Sequence, residues 1–162
     1  MGKKGPSKGK TLPMRALDEK GVRYQVHVHG RKLFGAEGVA EDLGIPVAHV
    51  VKAMIVRRSD RSFALVVVPG DKRLSLKKLG GELKDKGLEL ASERDVQRVT
   101  GFQVGAVSVL GFRRSDIGVY VDRGVLDLST AIISSGCHDA GLEVQAGELV
   151  RALEPHVGDF IS

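Results

Sequence analysis

The chain has little cysteine, few aromatic residues and no long apolar run. Its 162 residues include one cysteine, no tryptophan, two tyrosines and five phenylalanines. The lone Cys137 cannot close an internal disulfide. That excludes a disulfide scaffold and a cysteine-based zinc site together, and it fits a reducing, cytoplasmic compartment. The longest purely aliphatic stretch, Ala64 to Val68, is five residues, against about 20 for a membrane-spanning helix. No membrane partner is expected. Acidic residues are missing from the first ten positions, where Lys3, Lys4, Lys8 and Lys10 stand among glycine, proline and serine and give a charge of +4. Such a segment has almost nothing to bury, so residues 1–11 read as a disordered basic tail and 12–162 as the folded domain. The tail has no apolar core of the kind a secretory signal needs, and Pro6 spoils a myristoylation pattern. Residues 11–162 carry 21 basic and 20 acidic side chains, a net +1, so the basicity of the chain lies mainly in its tail. That tail offers phosphates a screened, sequence-independent attraction.

What remains is an ordinary soluble composition, 42% apolar and 28% charged. A chain of this length buries roughly 68–70% of its unfolded surface, enough for a core and a pocket. Pro13 opens a short helix that Gly21 can stop. Tyr24, Val26 and Val28 alternate with polar residues at the period of a half-buried strand. A helix follows over Ala36 to Leu43 before Gly44, and a helical turn runs from Pro46 to His49. Val51 to Arg57 and Ser62 to Pro69 read as strands joined at Ser59, Asp60 and Arg61. Ser75 caps a helix with the stripe Leu76, Leu79, Leu83, and Ser92 with Asp95 caps another that ends near Thr100 and Gly101. Gly118 to Asp122, Thr130 to Ser134 and Leu142 to Gln145 read as strands, and Ala146 to Leu153 as the last helix. Strands and helices interleave without a regular repeat. The expected fold is a single α+β domain, a mixed β-sheet with surrounding short helices.

Three places carry candidate chemistry. Lys52 interrupts the apolar run Val50 to Val56, with apolar residues on both faces of the expected strand. It either snorkels outward along its stem or stands in a pocket as a fixed positive donor for an anion or a developing negative charge. The stretch from Thr100 to Gly111 has three glycines but lacks the lysine ending of a P-loop and the spacing of a dinucleotide fingerprint. Its glycines either let backbone N–H groups approach a ligand oxygen or serve a structural loop that needs positive φ. Cys137-His138-Asp139 holds the residue types of a catalytic triad, but consecutive side chains diverge and such triads assemble from distant segments. His27 and His29 share a strand face and lack a third ligand for zinc, so they read as polar-face residues or as the rim of a pocket.

Taken in order, Phe34-Gly35 with Glu37, Val39-Ala40, Leu43-Gly44, Val50-Val51-Lys52, Leu76-Lys77-Lys78-Leu79, Thr100-Gly101-Phe102-x-x-Gly105-x-x-Ser108, Tyr120-Val121-Asp122 and Ser134-Ser135-Gly136 resemble the YbaK/ProX family. These are stand-alone aminoacyl-tRNA deacylases related to the editing insertion of bacterial prolyl-tRNA synthetase. The similarity runs from about Met14 to Leu153. It implies that family's α+β editing fold and a deacylase that clears mischarged tRNA in trans, with Cys-tRNA(Pro) or Ala-tRNA(Pro) as expected substrate. The alternative is a non-catalytic module that binds a tRNA 3′ end or a synthetase. The resemblance assigns catalysis to Lys52, Gly105 and Ser108, and substrate binding to Phe34, Gly101, Phe102, Ala106, Val107, Ser135 and Gly136. It implies no metal and no cofactor, with the tRNA acceptor end and prolyl-tRNA synthetase as partners. Two departures stand out. Val109 and Ala106 replace the loop's usual proline and a frequent second glycine, and Gly136-Cys137-His138-Asp139 replaces a Gly-x-x-Gly turn with basic residues. At the last of these positions an aspartate tolerates left-handed φ at modest cost.

Overall fold

The structure, a computed structural model, describes residues 9–112 and 114–162. Residues 1–8 of the basic tail therefore lie outside the described residues, while Lys10 pairs with the Asp18 carboxylate at 2.5 Å. The elements in chain order are α1 (Leu12–Glu19), β1 (Tyr24–Val28), α2 (Ala36–Leu43), a 3-10 turn (Val47–His49), β2 (Lys52–Arg57), β3 (Phe63–Val68), α3 (Leu76–Leu83), β4 (Glu89–Leu90), α4 (Glu93–Thr100), β5 (Gly118–Asp122), α5 (Arg123–Leu126), β6 (Thr130–Ser134), β7 (Ala140–Gln145), α6 (Ala146–Leu153) and β8 (His156–Gly158). The α+β class stands, and the strands divide between two sheets. One is antiparallel with order β1-β7-β6; the other is mixed, with order β4-β2-β3-β5-β8.

Local chemistry sets the boundaries of these elements. Ser75 and Ser92 cap α3 and α4 by accepting hydrogen bonds from the Lys78 and Asp95 N–H groups, relieving donors that a helix start leaves unpaired. Gly44 and Gly101 end α2 and α4 in the left-handed conformation. Strand β3 is buried at all six positions, as a central strand covered on both faces should be. One face of the larger sheet, through Leu65, Val67, Ile55 and Val121, packs with α1, α4, α6 and the inner face of the smaller sheet. The other face, through Val56, Val66 and Val68, packs on Leu79 of α3 and on Phe160. The two sheets meet where Val50 bridges to Ile132 and the Val51 N–H donates to the Ile132 carbonyl.

In β1 the apolar alternation does not become burial. Val26 and Val28 are 37% and 45% exposed. The strand is the edge of the smaller sheet and runs past the core, so Val22 and the partly buried Tyr24 anchor it. The short β4, α5 and β8 do not show in the sequence pattern. The last two are held by one residue. Buried Asp122 accepts from the Gly124 N–H with one carboxylate oxygen and from the Phe160 N–H with the other, each at 2.8 Å. Asp122→Ala leaves those donors unpaired, an expected loss of about 2–4 kcal/mol. Thermal unfolding should then show Tm lower by about 4–16 °C, and a shift below about 2 °C would contradict this role.

Candidate functional site

A cavity of about 340 Å³ opens at the junction of the sheets. Its walls come from the start of α2 (Gly35, Ala36, Val39), from residues 50–55 along β2, from Leu90 and Ala91, from the glycine loop (Val104, Gly105, Val107), and from β6 with the turn after it. Most of the lining is aliphatic. Side-chain chemistry is confined to Lys52, Ser134, Cys137 and His138, and no carboxylate is among the described lining residues. A site of this composition offers positive charge and hydrogen-bond donors to a ligand and no acidic general base.

Lys52 begins β2, two residues past the Val50 bridge that joins the sheets, and lies opposite Val68 in the ladder with β3. It is half-buried. Its Nζ donates to the Lys72 carbonyl, in the turn that follows β3. An ammonium has three donors, so this bond aims the group and leaves two for a ligand. The turn is tightly seated: a Cβ on Gly70 would stand 2.2 Å from both the Val47 and Val50 carbonyl oxygens. Lys52 is thus a lining residue of the cavity whose amine is tied to the turn after β3.

The glycine loop contributes Val104, Gly105 and Val107 to the cavity lining. Gly105 has φ +89, and a Cβ there would lie 3.1 Å from Phe34 Cδ2 and 3.2 Å from His138 Nε2. The Ala106 N–H is already donated to the Gln103 carbonyl. The Gly105 and Val107 N–H groups have no protein partner among the described residues and are the loop's available donors on this wall. Buried Ser108 does not line the cavity; its hydroxyl donates to the Ser134 carbonyl at 2.6 Å, while the Ser134 hydroxyl donates to the Ala106 carbonyl at 2.8 Å. This reciprocal pair ties the loop to β6. Val109, where a proline was expected by resemblance, is buried in the core. The positive φ of Gly105 is kept without that proline.

Of the other residues singled out by resemblance, Phe34 is exposed at the rim, its ring 4.3 Å from that of His138. Val107 lines the cavity, whereas Ala106 lies buried behind it. Gly101 caps α4, Phe102 packs on Phe112, Ser135 donates to the Ala140 carbonyl at 2.8 Å, and Gly136 sits against Phe102 with φ +96. These four shape the loop and turn from behind. Asp139 does not take a left-handed φ; in this turn Gly136 does.

Cys137 and His138 do reach the cavity wall, but not as a triad. Burial pushes the Cys137 thiol pKa up, and the Asp139 charge adds to the shift, so the thiol stays protonated at neutral pH and is a poor nucleophile. The His138 Nε2 faces the Val104 carbonyl at 3.0 Å. A carbonyl only accepts, so this nitrogen carries the proton, and the ring is pinned across the loop. The sequence singled out His138 only as part of a triad; its place on the cavity wall was not legible there, because only the fold brings the turn after β6 against residues 104–105. Cys137→Ser is expected to keep the activity implied by the resemblance within a few-fold, and thiol-blocking reagents to inactivate slowly; a large fall in kcat would instead make the thiol the nucleophile.

His27 pairs with Glu143 at 2.7 Å, and the buried His29 with Asp42 at 2.9 Å. Neither lines the cavity. Among the described residues no cluster of three or more His, Cys, Asp or Glu side chains is placed to hold a metal ion, and no helix is long and apolar enough to cross a membrane.

Residues 31–152 match the family described as aminoacyl-tRNA editing domain. An Enterococcus faecalis protein provisionally named Cys-tRNA(Pro)/Cys-tRNA(Cys) deacylase EbsC is 27% identical over 146 residues, covering 89% of this chain and 88% of that protein. A proline–tRNA ligase of Caldicellulosiruptor bescii is 36% identical over 103 residues, 64% of this chain but only 17% of the ligase. A crystal structure provisionally described as a trans-editing enzyme for prolyl tRNA synthetase superposes with a TM-score of 0.81 at 22% identity, over 93% of this chain and 95% of that one. At that identity the likeness is one of fold.

Proposed function

The chain belongs to the aminoacyl-tRNA editing domain family, and on that premise we propose that it is a deacylase acting in trans on mischarged tRNA, with the cysteinyl or alanyl ester of proline-specific tRNA as substrate. The observation that carries this reading is a small, mostly aliphatic cavity lined by Lys52, whose ammonium is held by the Lys72 carbonyl, and by Gly105 and Val107, whose N–H groups have no partner among the described residues. An aminoacyl ester is already activated, so hydrolysis needs placement and donors for the developing oxyanion more than a strong base. Lys52 binds the ester carbonyl or a neighbouring oxygen of the terminal ribose, and the Gly105 and Val107 N–H groups complete the cradle. The aliphatic wall takes a small side chain. With an alanyl ester, water adds to the carbonyl carbon and the C–O bond to the ribose breaks, giving free amino acid and the ribose hydroxyl. With a cysteinyl ester, the substrate thiol forms the new C–S bond, and its proton ends on the departing ribose oxygen.

The test is a panel of cysteinyl-, alanyl- and seryl-tRNA specific for proline, each with and without prolyl-tRNA synthetase. The expected result is release of at least one ester well above the spontaneous rate, with the synthetase altering KM if it hands the tRNA over. Spontaneous rates throughout, with tRNA still bound, would make the protein a binding module instead.

A further inference from the structure

A second cleft, of about 410 Å³, lies beside the first, and Leu90 lines both. Its other walls carry three arginines from separate elements: Arg57 at the end of β2, Arg61 in the β2–β3 turn and Arg98 on α4. Two face acids, Arg57 with Glu89 at 3.6 Å and Arg98 with Asp95 at 2.9 Å, while Arg98 also sits 5.7 Å over the Phe63 ring. The Arg61 guanidinium has no acidic partner among the described residues. It projects from a turn whose φ of +73 is unusual for a residue with a side chain. The Arg57–Glu89 pair is solvent-exposed, and Glu89 is 67% accessible. Such a pair is worth little in water and yields readily to a stronger anion. Arginine is the side chain suited to phosphate, with a planar fork that binds two oxygens at once.

Position supplies the rest of the argument. Strand β2 links the two clefts, with Lys52 at its start and Arg57 at its end. Five strand steps span about 16 Å and turn the two side chains to opposite faces of the sheet, so a chain joining them crosses the edge of β2, where Leu90 pairs with Val56 and the Ala91 N–H donates to the Ile55 carbonyl. An RNA 3′ end whose last ribose sits at Lys52 and whose chain leaves over the half-exposed Leu90 brings its preceding phosphates to the arginines. We propose that this cleft binds the backbone phosphates of the single-stranded 3′ end of tRNA and so sets its register in the cavity. The inference rests on the deacylase reading above. It gives the folded domain, nearly neutral as a whole, a local cationic seat for RNA.

An uncharged RNA hairpin ending in unpaired CCA, labelled at its 5′ end, tests this by anisotropy titration at three salt concentrations. The full chain is compared with Arg61→Gln and with the triple variant Arg57→Gln/Arg61→Gln/Arg98→Gln. Three lost phosphate contacts should weaken binding at least about tenfold at low salt and reduce the slope of log K against log salt by about 2, with a reduction of about 0.7 for Arg61→Gln alone. Arg61 is exposed and has no ion-pair partner among the described residues, so if the triple variant unfolds, the single variant decides. Unchanged affinity and slope in folded variants would overturn the proposal and place the attraction elsewhere, the basic first ten residues included. So would a wild-type chain that does not bind the hairpin. The RNA carries no ester, so a protein that binds through the arginines without deacylating would refute the function and leave the cleft; one that deacylates while the variants bind normally would do the reverse.

Discussion

Lys52→Ala is expected to lower kcat/KM for a mischarged tRNA by about 10²-fold or more, the scale seen when one preoriented oxyanion donor is lost. The fold should survive. Alanine is at home between Val51 and Ala53 in a strand, and the one side-chain hydrogen bond given up among the described residues is that to the Lys72 carbonyl, which lies in an exposed turn where water can replace it. Lys52→Arg is not a conservative control. Its guanidinium is a larger, planar donor that cannot occupy the position of a compact ammonium, so charge alone should restore little. The decisive measurement is single-turnover deacylation with saturating enzyme, which separates chemistry from binding, alongside a melt to confirm folding. A folded Lys52→Ala protein within a few-fold of the wild-type rate would remove Lys52 from the catalytic machinery.

Lys52 was visible in the sequence because a lysine inside seven otherwise apolar residues breaks a local pattern. Ser75 and Ser92 were visible for a similar reason: a cap and the N–H it receives are three residues apart, so the signal is contained in a short window. The two-residue β4 and three-residue β8 were not visible, since neither has a hydrophobic period of its own. Each exists because the edge of a longer strand, β2 or β5, offers it a ladder. Asp122 could have announced α5, because an aspartate two residues before Gly124 is a local turn signal. The glycine loop was legible as a motif but not in its division of labour. Only the fold shows that the Ala106 N–H is used within the loop and that Ser108 works from behind it. His138 stood in a run the sequence singled out, and only its place against residues 104–105 was hidden; the three arginines of the second cleft were hidden in a stronger sense. They converge from segments up to dozens of residues apart, and nothing near each one in the chain marks it. Net charge is silent in the same way, because a sum close to zero over residues 11–162 does not show where charges gather, here three arginines with two carboxylates around one cleft.

Gly105→Ala carries the other large expected effect, and it separates the backbone's role in the site from its role in the fold. An L-residue at φ +89 is strained by about 1–2 kcal/mol, which should lower Tm by about 2–8 °C for a domain of this size. The added methyl also meets two rings, at 3.1 Å from Phe34 and 3.2 Å from His138. Phe34 is exposed and can swing away; His138 is held by the Val104 carbonyl and cannot move without breaking that bond. Either the histidine is released or the loop rolls back, and both displace the Gly105 and Val107 N–H groups from the cavity wall. A misplacement on the order of 1 Å in a preoriented site costs about 10²-fold in rate. Gly101→Ala is the matched comparison. Its φ is +81 and nothing lies within 4 Å of the new methyl, so the stability loss should be similar while deacylation falls less than about tenfold. Equal kinetic losses in the two variants would mean that backbone strain anywhere in the loop disables the site; a Gly105→Ala protein with near-normal kcat would show that the N–H groups of this loop do not hold the oxyanion.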